Sequence, residues 1–331
     1  MAIFPFKKKT KFIVLKIIIV LSTYGFMVHK LYNSKEIHGF IKNSILFNKT
    51  KVIIIIVVFI LMIMNWLLES VKWQILVKRI KSISIKQSLQ SVFAGISVGI
   101  FTPNRLGEFV GRPFFLDSTK VIPGIFASVV GSISQSLVTI LFGISAINFY
   151  LFSVHKNLSI SASHFYLILT FSVILVFFMA YVFFNPDVLI KLKKNIKLLE
   201  KRGDELNFLA SYKLPELFKV LLLSVLRYVV FFTQFYLLLL FFDIEIGIYQ
   251  AFVAIGLIYF FLFVIPGFAL SEIGVRGSLA IFFLGMYSND YTAIFSATIS
   301  LWVINLALPA ILGSFIVINM RNHSDNKPDK I

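Results

Sequence analysis

Cysteine is absent from the 331 residues, which excludes disulfides, thiolate metal sites and cysteine nucleophiles. Charge is scarce. Asp, Glu, Lys and Arg make up 14% of the chain, against roughly 25% in soluble domains, and a soluble protein of this length needs far more polar surface. The five histidines, His29, His38, His155, His164 and His323, fall near loops or ends without metal-ligand spacing, so no metal and no cofactor is expected. There is no His-Glu-x-x-His and no phosphate-binding loop, and enzyme chemistry therefore has little footing. The longest loop is too short for a nucleotide-binding domain, which excludes an ATP-driven pump unless a partner supplies the motor.

What the chain does contain is apolar. Hydrophobic residues reach 58%, with 38 Phe and a mean hydropathy of +0.90. Several runs approach the roughly 20 apolar residues that cross a bilayer. The fold expected is an all-α integral membrane protein, a single polytopic domain over 1–331, with six full spans and two re-entrant helical hairpins. The spans are placed at 12–32, 52–77, 122–152, 164–185, 217–242 and 291–319. The net charge of +17 would suggest nucleic acid in a soluble protein. Here the basic residues sit between apolar runs, as in cytoplasmic loops, and no nucleic-acid partner is expected. The basic start MAIFPFKKKTKF resembles a signal sequence, but no small-residue cleavage site follows, so an uncleaved first span is expected. The soluble-looking segment 187–216 is basic and amphipathic, as suits the cytoplasmic surface. Both termini then lie in the cytoplasm, although Lys35, Lys42, Lys49 and Lys51 in the loop 33–51 oppose that orientation.

Two regions break the pattern. In 88–120 the run SVFAGISVGIF stops at Thr102-Pro103-Asn104, and Arg105, Gly107, Glu108, Gly111, Arg112 and Pro113 follow. In 248–288 the interruption is IPGFALSEIGVRG. Each limb is too short to cross alone, and irregular backbone at membrane depth must be buried in protein or face water. Pro103, Gly107, Gly111, Pro266, Gly267 and Gly274 are the expected hairpin hinges. Glu108–Arg112 and Glu272–Arg276 are both Glu-x-x-x-Arg with an intervening Gly, each after a Pro. Halves at about 52–152 and 217–319 would then form an inverted repeat, which places a site near the bilayer midplane. Chance recurrence of so short a motif is the alternative.

Charges at such depth are costly and usually pair or face a polar cavity. Glu and Arg four apart share a helical face, so each pair can lock its own hairpin. Guanidinium groups also suit phosphate, and half-helix N-termini after Pro103 and Pro266 would direct positive dipole ends at an anion. Arg227, inside SVLRYVVFFTQFYLLLLFF, is expected either to face the cytosol or to reach a central cavity and meet Glu108, Glu272 or a phosphate, with Gln234 on its face. The candidate substrate-binding residues are thus Arg105, Glu108, Arg112, Arg227, Glu272 and Arg276. Asn65, Glu69 and Lys72 form a polar stripe read as a mouth or hairpin-packing contact, Trp66 and Trp73 are read as interface anchors, and Asn305 is read as a helix–helix hydrogen bond.

In order along the chain, Asn65-Trp66-Leu67-Leu68-Glu69-Ser70-Val71-Lys72-Trp73, Thr102-Pro103-Asn104-Arg105-Leu106-Gly107-Glu108-Phe109-Val110-Gly111-Arg112, Ser224-Val225-Leu226-Arg227-Tyr228 and Ser271-Glu272-Ile273-Gly274-Val275-Arg276-Gly277 resemble the lysylphosphatidylglycerol synthase transmembrane, flippase-like, family over about 10–320. That region occurs alone in bacteria and archaea, or fused to an aminoacyl-transfer domain. The resemblance implies lipid translocation between leaflets, in the bacterial cytoplasmic membrane, of a phospholipid or polyprenyl-phosphate lipid. No transferase domain follows the last span, so lysyl-lipid synthesis is not expected of this chain. Pro266-Gly267-Phe268-Ala269-Leu270 also lacks the Gly-Gly often seen before the second Glu, which allows a different substrate. A second copy of the chain or a lipid-synthesis enzyme are the candidate protein partners. The rival readings are an intramembrane enzyme or accessory subunit of glycolipid synthesis using Glu108 or Glu272 as base, and a scaffold with structural ion pairs.

Overall fold

A computed structural model of the chain describes residues 48–100, 102–154, 162–186, 188, 203–265 and 269–324. The expected span at 12–32, most of the loop 33–51, half of the basic segment 187–216, and the hinges Pro266 and Gly267 lie outside the described residues. The described chain is helical. α1 (Lys49–Val77) starts where Asn48 accepts a hydrogen bond from the Lys51 amide at 2.8 Å. Its 29 residues rise about 44 Å at 1.5 Å each, enough to cross a bilayer. α2 (Ile85–Gly99) starts with a capping box between Ser84 and Gln87, which satisfies amides the first turn leaves open. With 15 residues it rises only about 22 Å.

The first broken region is more irregular than a proline hinge between two half-helices. A 3-10 turn, Pro103–Arg105, places Asn104 and Arg105 in the left-handed region at φ 49° and 55°. The Thr102 hydroxyl accepts from the Gly107 amide at 2.7 Å and holds this turn closed. α3 (Gly107–Gly111) is five residues long and tightens into a 3-10 turn over Arg112–Phe115, where Pro113 has no N–H to continue the helix. The helix dipole expected after Pro103 therefore has no regular helix to carry it. A further short turn at Ser118–Lys120 leads into α4 (Val121–Val154).

α5 (Ala162–Phe184) follows. A 3-10 segment, Gly203–Ser211, occupies part of the basic segment. α6 (Leu214–Phe241) has Pro215 in its first turn, and Glu216 accepts from the Lys213 amide at 3.0 Å. α7 (Ile248–Val264) and α8 (Ala269–Leu284) have 17 and 16 residues. α9 (Tyr291–Trp302) and α10 (Leu308–Ser324) are joined by one π turn, Val303–Ala307, so the last span is not a uniform helix. Asn305 sits in that turn, where looser winding commonly marks a functional position.

Among the described residues, α1, α4, α6 and the α9–α10 segment are the four helices long and apolar enough to cross a membrane. α5 carries the exposed Leu167, Phe171, Phe177 and Tyr181, as a lipid-facing surface requires. The protein is a multi-pass membrane protein. α1 and α6 run antiparallel: Lys51 pairs with Asp243 at 2.6 Å near one end and Arg79 with Glu216 at 2.7 Å near the other. α2 packs on α10, while α7 packs on α4. Trp66 and Trp73, read as interface anchors, are instead buried, Trp73 completely. They fill the core that joins α1 to α2, α4 and α6.

Small residues set how closely α2 and α3 meet. A Cβ on Gly111 would stand 2.9 Å from the Gly95 backbone and 3.0 Å from the Ala94 carbonyl. Backbone cannot swing aside as a side chain can, so Gly111→Ala must separate the hairpin. An overpacking cost of about 1–3 kcal/mol is expected, read as a lower melting temperature in detergent, while the lipid-facing Ile53→Val stays within about 0.5 kcal/mol.

Candidate functional site

A carboxylate inside an apolar helix needs cationic partners at hydrogen-bond distance. Glu69, in the middle of α1's polar stripe, has three. Arg112 donates to Oε1 at 2.6 Å, Lys72 lies 2.7 Å from Oε2, and Arg227 Nη1 donates to Oε2. The Glu69 side chain is 2% exposed. Arg112 also donates to Glu108 Oε2 at 3.2 Å, in the four-residue spacing read from the sequence. Arg227 Nε donates to Asn65 Oδ1 at 2.8 Å, and its guanidinium lies 5.7 Å from the Trp66 ring and 5.6 Å from Phe231, within cation–π range. Gln135 Oε1 accepts from Arg227 at 3.4 Å. Lys72 reaches Ser224 Oγ at 3.4 Å, and Ser224 lies 2.9 Å from Ser134 of α4.

A second network surrounds Glu272 near the start of α8. Arg276, one turn on, donates to Glu272 Oε1 at 3.0 Å, and Arg105 donates to the same oxygen from the left-handed turn. No ion pair links the two networks among the described residues. They meet at the turn that bears Arg105 and Glu108, three residues apart. Both line one cavity of about 550 Å³ with aromatic walls that include Trp66, Phe231, Tyr259 and Trp302.

All six candidate binding residues, Arg105, Glu108, Arg112, Arg227, Glu272 and Arg276, line this cavity. Their partners differ from expectation in two respects. Arg227 pairs with Glu69, not with Glu108 or Glu272. Gln234 leaves the site and donates to the Val58 carbonyl at 2.9 Å. Of the hinges, Gly107 and Gly111 bound the short α3 and serve its close approach to α2. Gly274 lies within the continuous α8 and is not a hinge. Asn305 does join two helices, accepting from Asn65 Nδ2 at 3.3 Å.

Glu69, Lys72, Asn65 and Gln135 were not among the candidates for the site. Asn65, Glu69 and Lys72 recur at spacings of four and three in the helix that opens with the longest apolar run, which was the available signal. Gln135, one polar residue among the Ser and Gly of α4, gave none. Among the described residues no group of three or more metal-ligating side chains occurs.

Removing the Glu69 charge leaves three cations on one missing anion, whereas Glu108 serves one. Glu69→Gln is expected to cost about 3–5 kcal/mol and Glu108→Gln about 1–3 kcal/mol. Thermal melting of the purified variants in detergent should therefore rank them in that order, with Lys72→Met partly restoring Glu69→Gln.

No curated protein matches the sequence. The sequence profile described as lysylphosphatidylglycerol synthase TM region matches residues 14–313, a stretch that takes in both networks and every described helix up to α10. A buried acid–base cavity in a multi-pass helical membrane protein thus has a family to stand in: the chain belongs to the lysylphosphatidylglycerol synthase transmembrane-region family.

Proposed function

We propose that the protein moves a phosphate-bearing lipid between membrane leaflets, with the headgroup in the central cavity and the acyl or prenyl tails in the bilayer. The carrying observation is the charge inside that cavity. Lys72, Arg105, Arg112, Arg227 and Arg276 face Glu69, Glu108 and Glu272, five cations against three carboxylates, which leaves two positive charges in excess. Uncompensated charge at this depth is unfavourable, and an anionic headgroup offsets it. Arginine supplies four of the five cations although Lys dominates the loops, and its planar fork binds phosphate bidentately.

The packing supports an inverted repeat. α1 with α6, α2 with α7, the α3 turn with α8, and α4 with α9–α10 are the corresponding pairs. The second element of each half packs on the last element of the other, α2 on α10 and α7 on α4. Glycines recur at these contacts: a Cβ on Gly143 would meet the Phe260 side chain, and one on Gly313 the Phe93 carbonyl. The short α2, α7 and α8 suit re-entrant hairpins that enter from opposite sides. In such repeats one unit rocks against the other about a midplane site. The positive-inside rule turns the end with Lys78, Arg79, Lys81 and Lys120 toward the cytoplasm, in a bacterial inner membrane.

Arg112→Lys and Arg276→Lys keep the charge and lose the fork. Each is expected to slow lipid exchange at least about ten-fold, the equivalent of ~1.4 kcal/mol, in vesicles carrying the purified protein with labelled phosphatidylglycerol or polyprenyl phosphate. Exchange no faster with the unaltered protein than in empty vesicles, for every phosphate lipid tried, would refute the reading.

A further inference from the structure

The ion pairs divide the excess positive charge between two networks. The first network holds Lys72, Arg112 and Arg227 against Glu69 and Glu108, one positive charge over. The second holds Arg105 and Arg276 against Glu272, again one over. Each network also contains one orphan donor. The Nε atoms of Arg112 and of Arg276 are buried without a hydrogen-bond partner, at the two positions the Glu-x-x-x-Arg motifs make equivalent. Buried donors of native proteins are nearly always satisfied, and an N–H of a guanidinium left unpaired is costly. Two networks of equal net charge thus stand side by side in one cavity, bridged by the turn that carries Arg105 and Glu108.

We infer that the cavity takes a lipid whose headgroup bears two phosphates, each with a single negative charge, one phosphate to each network. This rests on the translocase reading and narrows its substrate class. A phosphate on the first network meets Arg112 and Arg227 with Lys72 behind them. A phosphate on the second meets Arg276 and Arg105. Two chemistries carry one charge on each of two phosphates: a diphosphate diester between a polyprenyl chain and a sugar, and a bis-phosphodiester of the cardiolipin type. The cavity is large enough for compact headgroups of either kind, since ligand sites span roughly 300–1,000 Å³.

Trp66 and Trp302 line the cavity, so tryptophan fluorescence of the purified full chain in detergent can report titration with each lipid. Two matched pairs separate the sources: a polyprenyl diphospho-sugar against the polyprenyl phospho-sugar, and cardiolipin against phosphatidylglycerol. Phosphatidic acid, which gathers its charge on one phosphorus, separates two subsites from total charge. In at least one pair the two-phosphate lipid is expected to bind about ten-fold or more tighter than its one-phosphate counterpart, and to exceed phosphatidic acid. The pair that shows the preference identifies the source. Arg105→Gln and Arg276→Gln each bring the second network to zero net charge, and in both the preference should collapse toward unity. Two variants, each checked by its melting temperature, guard against a misfolded one. Equal binding within both pairs, phosphatidic acid equal to the best two-phosphate lipid, or a preference kept in both variants would overturn the inference while leaving a one-phosphate translocase standing. Binding of none of these lipids would remove the translocase reading as well.

Discussion

Glu69 is the residue on which the centre of the molecule converges. Its two oxygens receive cations from its own helix, from the turn after α3 and from α6. In hydrocarbon the hydrophobic effect does not draw helices together, and packing and polar contacts must do so. A carboxylate of this kind has no cheap alternative partner, because leaving it unpaired costs several kcal/mol. One side chain thereby fixes which face of α1 turns inward, brings α6 alongside, and docks the broken region on both. The terminal pairs, Lys51 with Asp243 and Arg79 with Glu216, belong to the same antiparallel register. They are partly exposed, and such pairs contribute little. The register is decided at the centre.

That arrangement requires the backbone of the first broken region to come unusually near α2. Gly95 and Gly99 on one side, and Gly107 and Gly111 on the other, remove the side chains that would hold them apart. A Cβ on Gly95 would meet Arg112 Cγ at 2.6 Å, and one on Gly99 would meet Glu108. The glycines therefore position the charged side chains as well as the helices. The left-handed turn at Asn104 and Arg105 costs on the order of 1–3 kcal/mol per residue. It turns Arg105 away from the first network and toward Glu272 in α8.

Helix content, the limits of the four long apolar helices and the charged residues that line the cavity were legible from hydropathy and from charge in apolar context. Hydropathy marks α1 and α6 clearly because lipid selects composition along the whole of a span. What escaped has a common physical origin. Glu69 stands in a helix whose apolar run looks like an ordinary membrane anchor, and two of its three cationic partners lie more than 40 positions away in sequence. The true partner of Arg227 is likewise set by helix pairing. Local pattern also misjudged Trp66 and Trp73, since tryptophan suits both an interface and a core. The left-handed backbone at Asn104 and Arg105 has no glycine to announce it. It is held locally by the Thr102 clasp and across the fold by the Glu272 partner.

The ion pairs divide the molecule in a way that bears on transport. Under the inverted-repeat reading, Glu69–Arg227 and Glu272–Arg105 each tie one half to the other across the cavity, whereas Glu108–Arg112 and Glu272–Arg276 lie within a half. On the translocase reading, a bound anion competes with Glu69 for Arg227 and with Glu272 for Arg105. It does not need to disturb the pairs within each half. Occupancy then weakens the ties between halves more than the ties inside them. A ligand shifts a conformational equilibrium only by its differential affinity for the two states. On that reading the difference has a physical source, because parting the halves would free guanidinium groups for phosphate. On the translocase reading, Glu69 and Glu272, which tie the halves in the empty cavity, are thus the groups that close it again once the lipid has left.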